Sequence, residues 1–131
     1  MAKILVVDDE ADLEALVKQK FRRKIRENVY EFVFAQNGEE ALQKVSEHPD
    51  LDIVLSDINM PIMDGLTLLS RLPEANPVLR AVVVSAYGDM QNIRTAMNRG
   101  AFDFVCKPVD FDDFDLTMEK TINYVKQLHE T

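Results

Sequence analysis

Short aliphatic runs alternate along the chain with segments whose apolar residues return every three or four positions. Ile4-Leu5-Val6-Val7 is brief, fully apolar and stopped by Asp8-Asp9, the pattern of a strand buried on both faces. Leu13, Leu16, Val17, Phe21 and Ile25 then form the stripe of an amphipathic helix. Tyr30 to Ala35 returns to strand composition. Asn37-Gly38-Glu39-Glu40 turns into a second helix, with Asn37 as its cap, Glu40 three residues on, and Ala41, Leu42 and Val45 facing inward. Pro49-Asp50 breaks the chain before a third strand, Leu51 to Ser56, which ends at Asp57. Leu66, Leu68, Leu69 and Leu72 mark a short helix after Gly65, and Pro73 and Pro77 bound the next connection. Ala81 to Val84 is a fourth strand, and Met90, Ile93 and Met97 give a helix closed by Gly100. Phe102 to Cys106 is a fifth strand. Phe111, Phe114, Met118, Ile122, Val125 and Leu128 then form the stripe of a long closing helix.

Strict alternation of strand and helix predicts an open, doubly wound parallel sheet of five strands, with five helices on both faces. A closed barrel of eight such units needs about 250 residues, whereas this chain has 131. With 47% hydrophobic and 29% charged residues, the whole chain, 1–131, reads as one domain with a real core. The single cysteine, Cys106, cannot close an internal disulfide. Met1-Ala2-Lys3 leads only into a short apolar run, unlike a secretory signal, and no stretch reaches the roughly 18 apolar residues of a membrane span. The expected setting is therefore cytoplasmic, without a membrane partner. A net charge of −8 disfavours direct contact with nucleic acid and favours cations or basic protein patches.

The polar residues that follow the strands carry the chemistry. Asp8 and Asp9 end the first strand, Asp57 the third, Ser85 the fourth and Lys107 the fifth. In open parallel sheets ligands bind beyond the carboxyl ends of the strands, where the strand order reverses. In the order 2-1-3-4-5 that point lies between the first and third strands. Three carboxylates would meet there, with a hydroxyl and an ammonium from neighbouring strand ends. Clustered aspartate oxygens suit a hard divalent cation, and Mg²⁺ is the expected one because it keeps positions open for water or a phosphoryl oxygen. Zinc is disfavoured, since the only histidines are His48 and His129 and Cys106 has no thiolate partner. This equipment fits phosphoryl transfer. Asp57 would be the nucleophile that forms an acyl phosphate, with the metal, Lys107 and Ser85 sharing the phosphoryl oxygens.

These residues resemble the receiver domains of two-component response regulators, the family that includes the bacterial chemotaxis response regulator. The resemblance covers almost the whole chain. It rests on Asp8-Asp9, on Asp57 within Ser56-Asp57-Ile58-Asn59-Met60-Pro61-Ile62-Met63-Asp64-Gly65, on Ser85-Ala86 and on Lys107-Pro108. It implies a flavodoxin-like fold and a domain that catalyses only its own phosphorylation and dephosphorylation. Asp57 would accept a phosphoryl group from a histidine kinase or histidine phosphotransfer protein. Asp9, Asp57 and the backbone carbonyl of Asn59 would ligate Mg²⁺, with Asp8 acting mainly through the metal's waters. Ser85 would bind the phosphoryl group, Lys107 would pair with it, and Phe104 would turn inward as the switch residue. The face made by the fourth helix, fifth strand and fifth helix would change and so control an output domain or protein partner, with homodimerisation on phosphorylation a further expectation. A cis bond between Lys107 and Pro108 is also implied. Asn59 and Tyr87 occupy positions that influence phosphoryl loss in the family.

Other features have plainer readings. The basic run Lys18, Lys20, Arg22, Arg23, Lys24 and Arg26 reads as a solvated face, with docking to an acidic partner as the alternative. Lys24 to Tyr30 lengthens the first crossover at the end of the sheet opposite the acids. Cys106 reads as a buried strand residue, Met60 and Met63 as loop packing, and Gly65 as supplying a backbone conformation other residues resist. A Mg²⁺-dependent aspartyl phosphohydrolase is a competing class, but Asp57-Ile58-Asn59 lacks a second aspartate two residues on and there is no cap insertion. A flavin mononucleotide carrier would need a phosphate-cradling loop after the first strand, where acids stand instead. The closing helix runs toward Thr131 without a Gly or Pro stop, which leaves open a receiver fragment of a longer multidomain regulator or hybrid protein.

Overall fold

Alternate residues of the central strands face opposite helical layers, which is why those strands are apolar throughout. In the computed structural model, which describes residues 2–9, 11–58, 64–86, 89–107 and 109–130, the elements run β1 (Ala2–Val7), α1 (Ala11–Lys20), α2 (Arg22–Arg26), β2 (Tyr30–Ala35), α3 (Gly38–Glu47), β3 (Ile53–Asp57), α4 (Gly65–Ala75), β4 (Arg80–Ala86), α5 (Met90–Asn98), β5 (Asp103–Lys107) and α6 (Phe111–Glu130). Ile4, Val6, Ile53, Leu55, Val82 and Val84 pack with Leu13 and Val17 of α1 and with Phe114, Met118, Ile122 and Val125 of α6. Leu5, Val7, Val54, Ala81 and Val83 pack on the other face, with α3, α4 and Ala96 of α5. All pairings are parallel and the order is β2-β1-β3-β4-β5, so the doubly wound, flavodoxin-like sheet expected from the sequence is the sheet that forms. Among the described residues no helix is long and apolar enough to cross a membrane.

The helix count differs from expectation: six among the described residues against five, because the first stripe bends at Phe21. There ψ is 21°, yet hydrogen bonds persist from Phe21 N–H to the Val17 carbonyl at 3.0 Å and from Ile25 N–H to the Phe21 carbonyl at 2.9 Å. The bend accompanies a buried aromatic cluster, in which the Phe21 ring lies 5.4 Å from Tyr30 and 5.5 Å from Phe114. Lys24 leaves the solvated run and sits 4.8 Å over the Tyr30 ring, with Asp115 3.7 Å from its Nζ. Its pKa stands above the ordinary value: burial pulls it down, but Tyr30 and the charges of Asp115 and Glu119 more than offset this. The longer crossover does lie at the end of the sheet opposite the acids, since Tyr30 pairs with Ala2.

Caps fix the other boundaries. Asn37 accepts the Glu40 N–H at 2.8 Å, as expected, and Glu40 in turn accepts the Gln36 N–H at 3.2 Å. α2 and α5 both end in the paired carbonyl bonds of a left-handed cap, with Asn28 at φ 60° and Gly100 at φ 104°. Pro73 lies inside α4 instead of bounding it. Burial of Leu68, Leu69 and Leu72 holds the last turn despite the missing N–H, and Asn76 N–H returns to the Leu72 carbonyl at 2.9 Å. On α5 the inward residues are Ile93 and Ala96, whereas Met90 and Met97 are exposed. Cys106, on the edge strand β5, is half-buried, not buried.

Gly65 is required for a reason other than the expected one. The positive-φ residues among those described are Asn28 and Gly100. At Gly65 a Cβ would stand 2.8 Å from Ile58 Cα and closer still to the Asp57 carbonyl oxygen, both backbone atoms that cannot swing aside. Gly65 N–H also donates to the Ile58 carbonyl at 2.8 Å, so α4 is seated directly on the end of β3. Gly65→Ala is expected to destabilise the fold by about 1–3 kcal/mol through overpacking. Urea titration checks this: the midpoint should fall with the slope unchanged, and an unaltered midpoint would contradict the close approach.

Candidate functional site

Parallel pairing brings every strand end to one edge, and backbone bonds there fix where the polar side chains stand. Asp8 N–H donates to the Ala35 carbonyl at 3.0 Å, carrying the β1–β2 ladder one residue past Val7. Asp57 is the last residue of β3 and pairs with Val84; beyond it, Ile58 N–H donates to the Val84 carbonyl at 3.1 Å. The Ser56 hydroxyl donates to the Asp57 carbonyl at 2.9 Å. Asp57 is therefore held by β4, by Ser56 and by the seat of α4, so little freedom remains beyond its own side-chain torsions.

Asp8, Asp9 and Asp57 come together as the sequence implied, with one carboxylate oxygen of each within 4.8 Å of the others. Asp8 and Asp57 are each 7% exposed, whereas Asp9 is open to solvent. Lys107, at the end of β5, lies two strands from β3, about 10 Å across the sheet. Its stem crosses the end of β4 and Nζ reaches Asp57 Oδ2 at 2.8 Å. Burying like charges is costly unless they are neutralised, and this donor set consists entirely of hard oxygens, without histidine or thiolate. It therefore fits a hard divalent cation of the Mg²⁺ type and fits zinc poorly.

Ser85 belongs to β4 itself instead of following it, and is buried at 1% exposure. Its hydroxyl points to the α5 side of the edge, donating to Asp89 Oδ2 at 3.2 Å, and Asn92 Nδ2 donates to the same oxygen at 2.9 Å. Phe104 projects outward from β5 beside a groove shared with Leu116 and Thr117. Asn59, Tyr87, Pro108, Met60 and Met63 lie outside the described residues. Sequence reasoning passed over Asp89 and Asn92, because an aspartate at a helix start followed three residues later by asparagine reads as an ordinary cap. It also passed over Glu14 and Gln36, which line a small recess of about 110 Å³ beside Asp8 and Asp9.

Comparison with known proteins agrees with this geometry. Residues 4–119 match the response regulator receiver domain. The chemotaxis protein CheY of Bacillus subtilis is 36% identical over 121 residues, covering 92% of this chain and 98% of that protein. The transcriptional regulatory protein ZraR of Escherichia coli is 33% identical over 129 residues, covering 95% of this chain and 27% of that protein. The chain thus spans about a quarter of the length of the ZraR proteins it matches. Among solved structures, a response regulator receiver domain protein from Clostridium thermocellum superposes with a TM-score of 0.86 at 29% identity, covering 98% of this chain and 99% of that one. The receiver domain of NtrX from Brucella abortus gives 0.80 at 31% identity, over 92% of this chain and 98% of that one. The fold, the acidic edge and these matches together place the chain in the response regulator receiver domain family.

Proposed function

We propose that the protein is a phosphorylation-controlled switch in which Asp57 accepts a phosphoryl group. The observation that carries this reading is the convergence of Asp8, Asp9 and Asp57, with the Lys107 ammonium 2.8 Å from the Asp57 carboxylate. An Asp57 oxygen forms a bond to phosphorus as the bond from phosphorus to the donor breaks, giving an acyl phosphate. The donor is a phosphohistidine on a histidine kinase or a phosphotransfer protein, whose imidazole leaves. Lys107 pairs with the transferred oxygens and Ser85 donates to one of them. Asp9, Asp57 and the backbone carbonyl of Asn59 would hold Mg²⁺, with Asp8 acting through its waters; the ion supplies charge neutralisation for the phosphoryl oxygens when bound. The domain catalyses only its own phosphorylation and dephosphorylation, in a cytoplasmic setting.

The readout surface is the face formed by α5, β5 and α6. Met90, Met97, Phe104 and Leu116 expose apolar surface there. Phe104 turns inward as Ser85 moves toward the phosphoryl group, so two packings of this face exchange population. ZraR and the DNA-binding transcriptional regulator NtrC match over 27% and 19% of their lengths, whereas CheY matches over 98%. The output is accordingly either a further domain of a longer regulator or a separate protein, reached through this face.

Incubation with acetyl phosphate and Mg²⁺ should give a single phosphoryl adduct by intact-protein mass, absent with EDTA and absent in Asp57→Asn. Lys107→Ala should slow its formation about a hundredfold, the usual effect of removing one anion-stabilising donor. Equal labelling of Asp57→Asn would overturn the assignment of Asp57. Homodimerisation through the α5–β5–α6 face is checked by sedimentation with and without beryllofluoride; the loaded protein should be heavier, and an unchanged mass would count against it.

A further inference from the structure

Asp89 stands at the N-cap of α5, where an aspartate ordinarily accepts a hydrogen bond from the second or third helical N–H. Here its side chain makes no cap bond, and the first turn of α5 holds no acidic residue to replace it. Its Oδ2 is instead occupied by the Ser85 hydroxyl at 3.2 Å and Asn92 Nδ2 at 2.9 Å. Ser85 is almost wholly buried, so its one hydroxyl proton needs a protein partner and can serve only one at a time. The reading of Ser85 above gives that proton a second claimant, the phosphoryl oxygen on Asp57. Asp89 likewise has a second use, the open N-terminus of α5.

We infer that Asp89 is a positioning residue that holds the Ser85 hydroxyl away from Asp57 in the resting protein and caps α5 once the hydroxyl leaves. This rests on Ser85 binding the phosphoryl group. Each hydrogen bond surrendered has a replacement: Ser85 exchanges a carboxylate for a phosphoryl oxygen, and Asp89 exchanges a hydroxyl for the backbone N–H of Asn92. Both arrangements therefore keep their buried polar groups satisfied, which is what lets one group on Asp57 move the balance between them. Asn92 ties the two ends together, since its side chain anchors Asp89 in the first arrangement and its backbone would receive Asp89 in the second. The start of α5 is thereby coupled to the acidic edge through a single serine.

Beryllofluoride with Mg²⁺, a stable stand-in for the phosphoryl group, tests this by titration of wild type, Asp89→Ala, Asp89→Ser, Ser85→Ala and the Ser85→Ala/Asp89→Ser pair. Asp89→Ser removes the carboxylate that holds the Ser85 hydroxyl but retains a capping oxygen, so it should tighten binding about tenfold, the worth of a hydrogen bond to a charged group. Asp89→Ala loses the cap of the loaded state as well as the resting bond, so it should gain less than Asp89→Ser. The gain should vanish in the Ser85→Ala background. Hydrogen exchange at the Asn92 amide should slow on loading in wild type but not in Asp89→Ala. Unchanged or weaker binding in folded Asp89→Ser, or the same gain without the Ser85 hydroxyl, would overturn the inference while leaving Ser85 as a phosphoryl ligand. If Ser85→Ala alone binds beryllofluoride as well as wild type, the reading of Ser85 fails and this inference fails with it.

Discussion

Everything at the acidic edge depends on the parallel register of four neighbouring strands. β1, β3, β4 and β5 run side by side in fixed register, with Val7 beside Ser56, Asp57 beside Val84 and Ala86 beside Lys107. A slip of one residue in any of them would exchange its two faces, turning buried aliphatic side chains into the wrong layer. The same hydrophobic partition that stabilises the sheet therefore fixes the relative heights of Asp8, Asp57, Ser85 and Lys107. Their convergence is a by-product of core packing, and it needs no separate energetic device beyond the close seating of α4 at Gly65.

The edge is also where two kinds of polar group are held out of water at once. Asp8, Asp57 and Ser85 are buried, so each must keep a partner through any change of state. Lys107 meets Asp57 from two strands away, and Asp89 meets Ser85 from the start of α5. One partnership ties β3 to β5 and the other ties β4 to α5. In the proposed function, a new anion at Asp57 would act on both, and both lie on the way to the surface formed by α5, β5 and α6. That connection is local and made of named hydrogen bonds, so a response at this face requires no long-range distortion of the core.

Much of this was legible in the sequence, and the exceptions have physical causes. The strands announced themselves because burial on both faces leaves little but aliphatic residues, and the three aspartates stood out by ending those runs. Boundaries were less legible where packing overrode local chemistry. Burial of three leucines carries α4 past Pro73, and the aromatic cluster around Phe21 accompanies the bend in the first helix. On α5 the methionines fitted the helical stripe, but the inward positions went to Ile93 and Ala96. Gly65 was singled out for conformation when its role is contact, because a steric demand made by the backbone of Asp57 and Ile58 leaves no mark on neighbouring residues. Asp89 and Asn92 were invisible for a similar reason. Asp89 is partnered by Ser85 on the preceding strand and Asn92 by Asp89 itself, and residue type alone cannot tell a capping aspartate from one turned toward a serine.

The central claim, that Asp57 itself carries the phosphoryl group, is tested most directly by trapping and locating it. After brief incubation with acetyl phosphate and Mg²⁺, borohydride reduction converts an acyl phosphate on aspartate into homoserine, which peptide mass spectrometry assigns to one position. The expected result is modification at position 57 alone. Modification at Asp8, Asp9 or any other carboxylate, with position 57 intact, would contradict it.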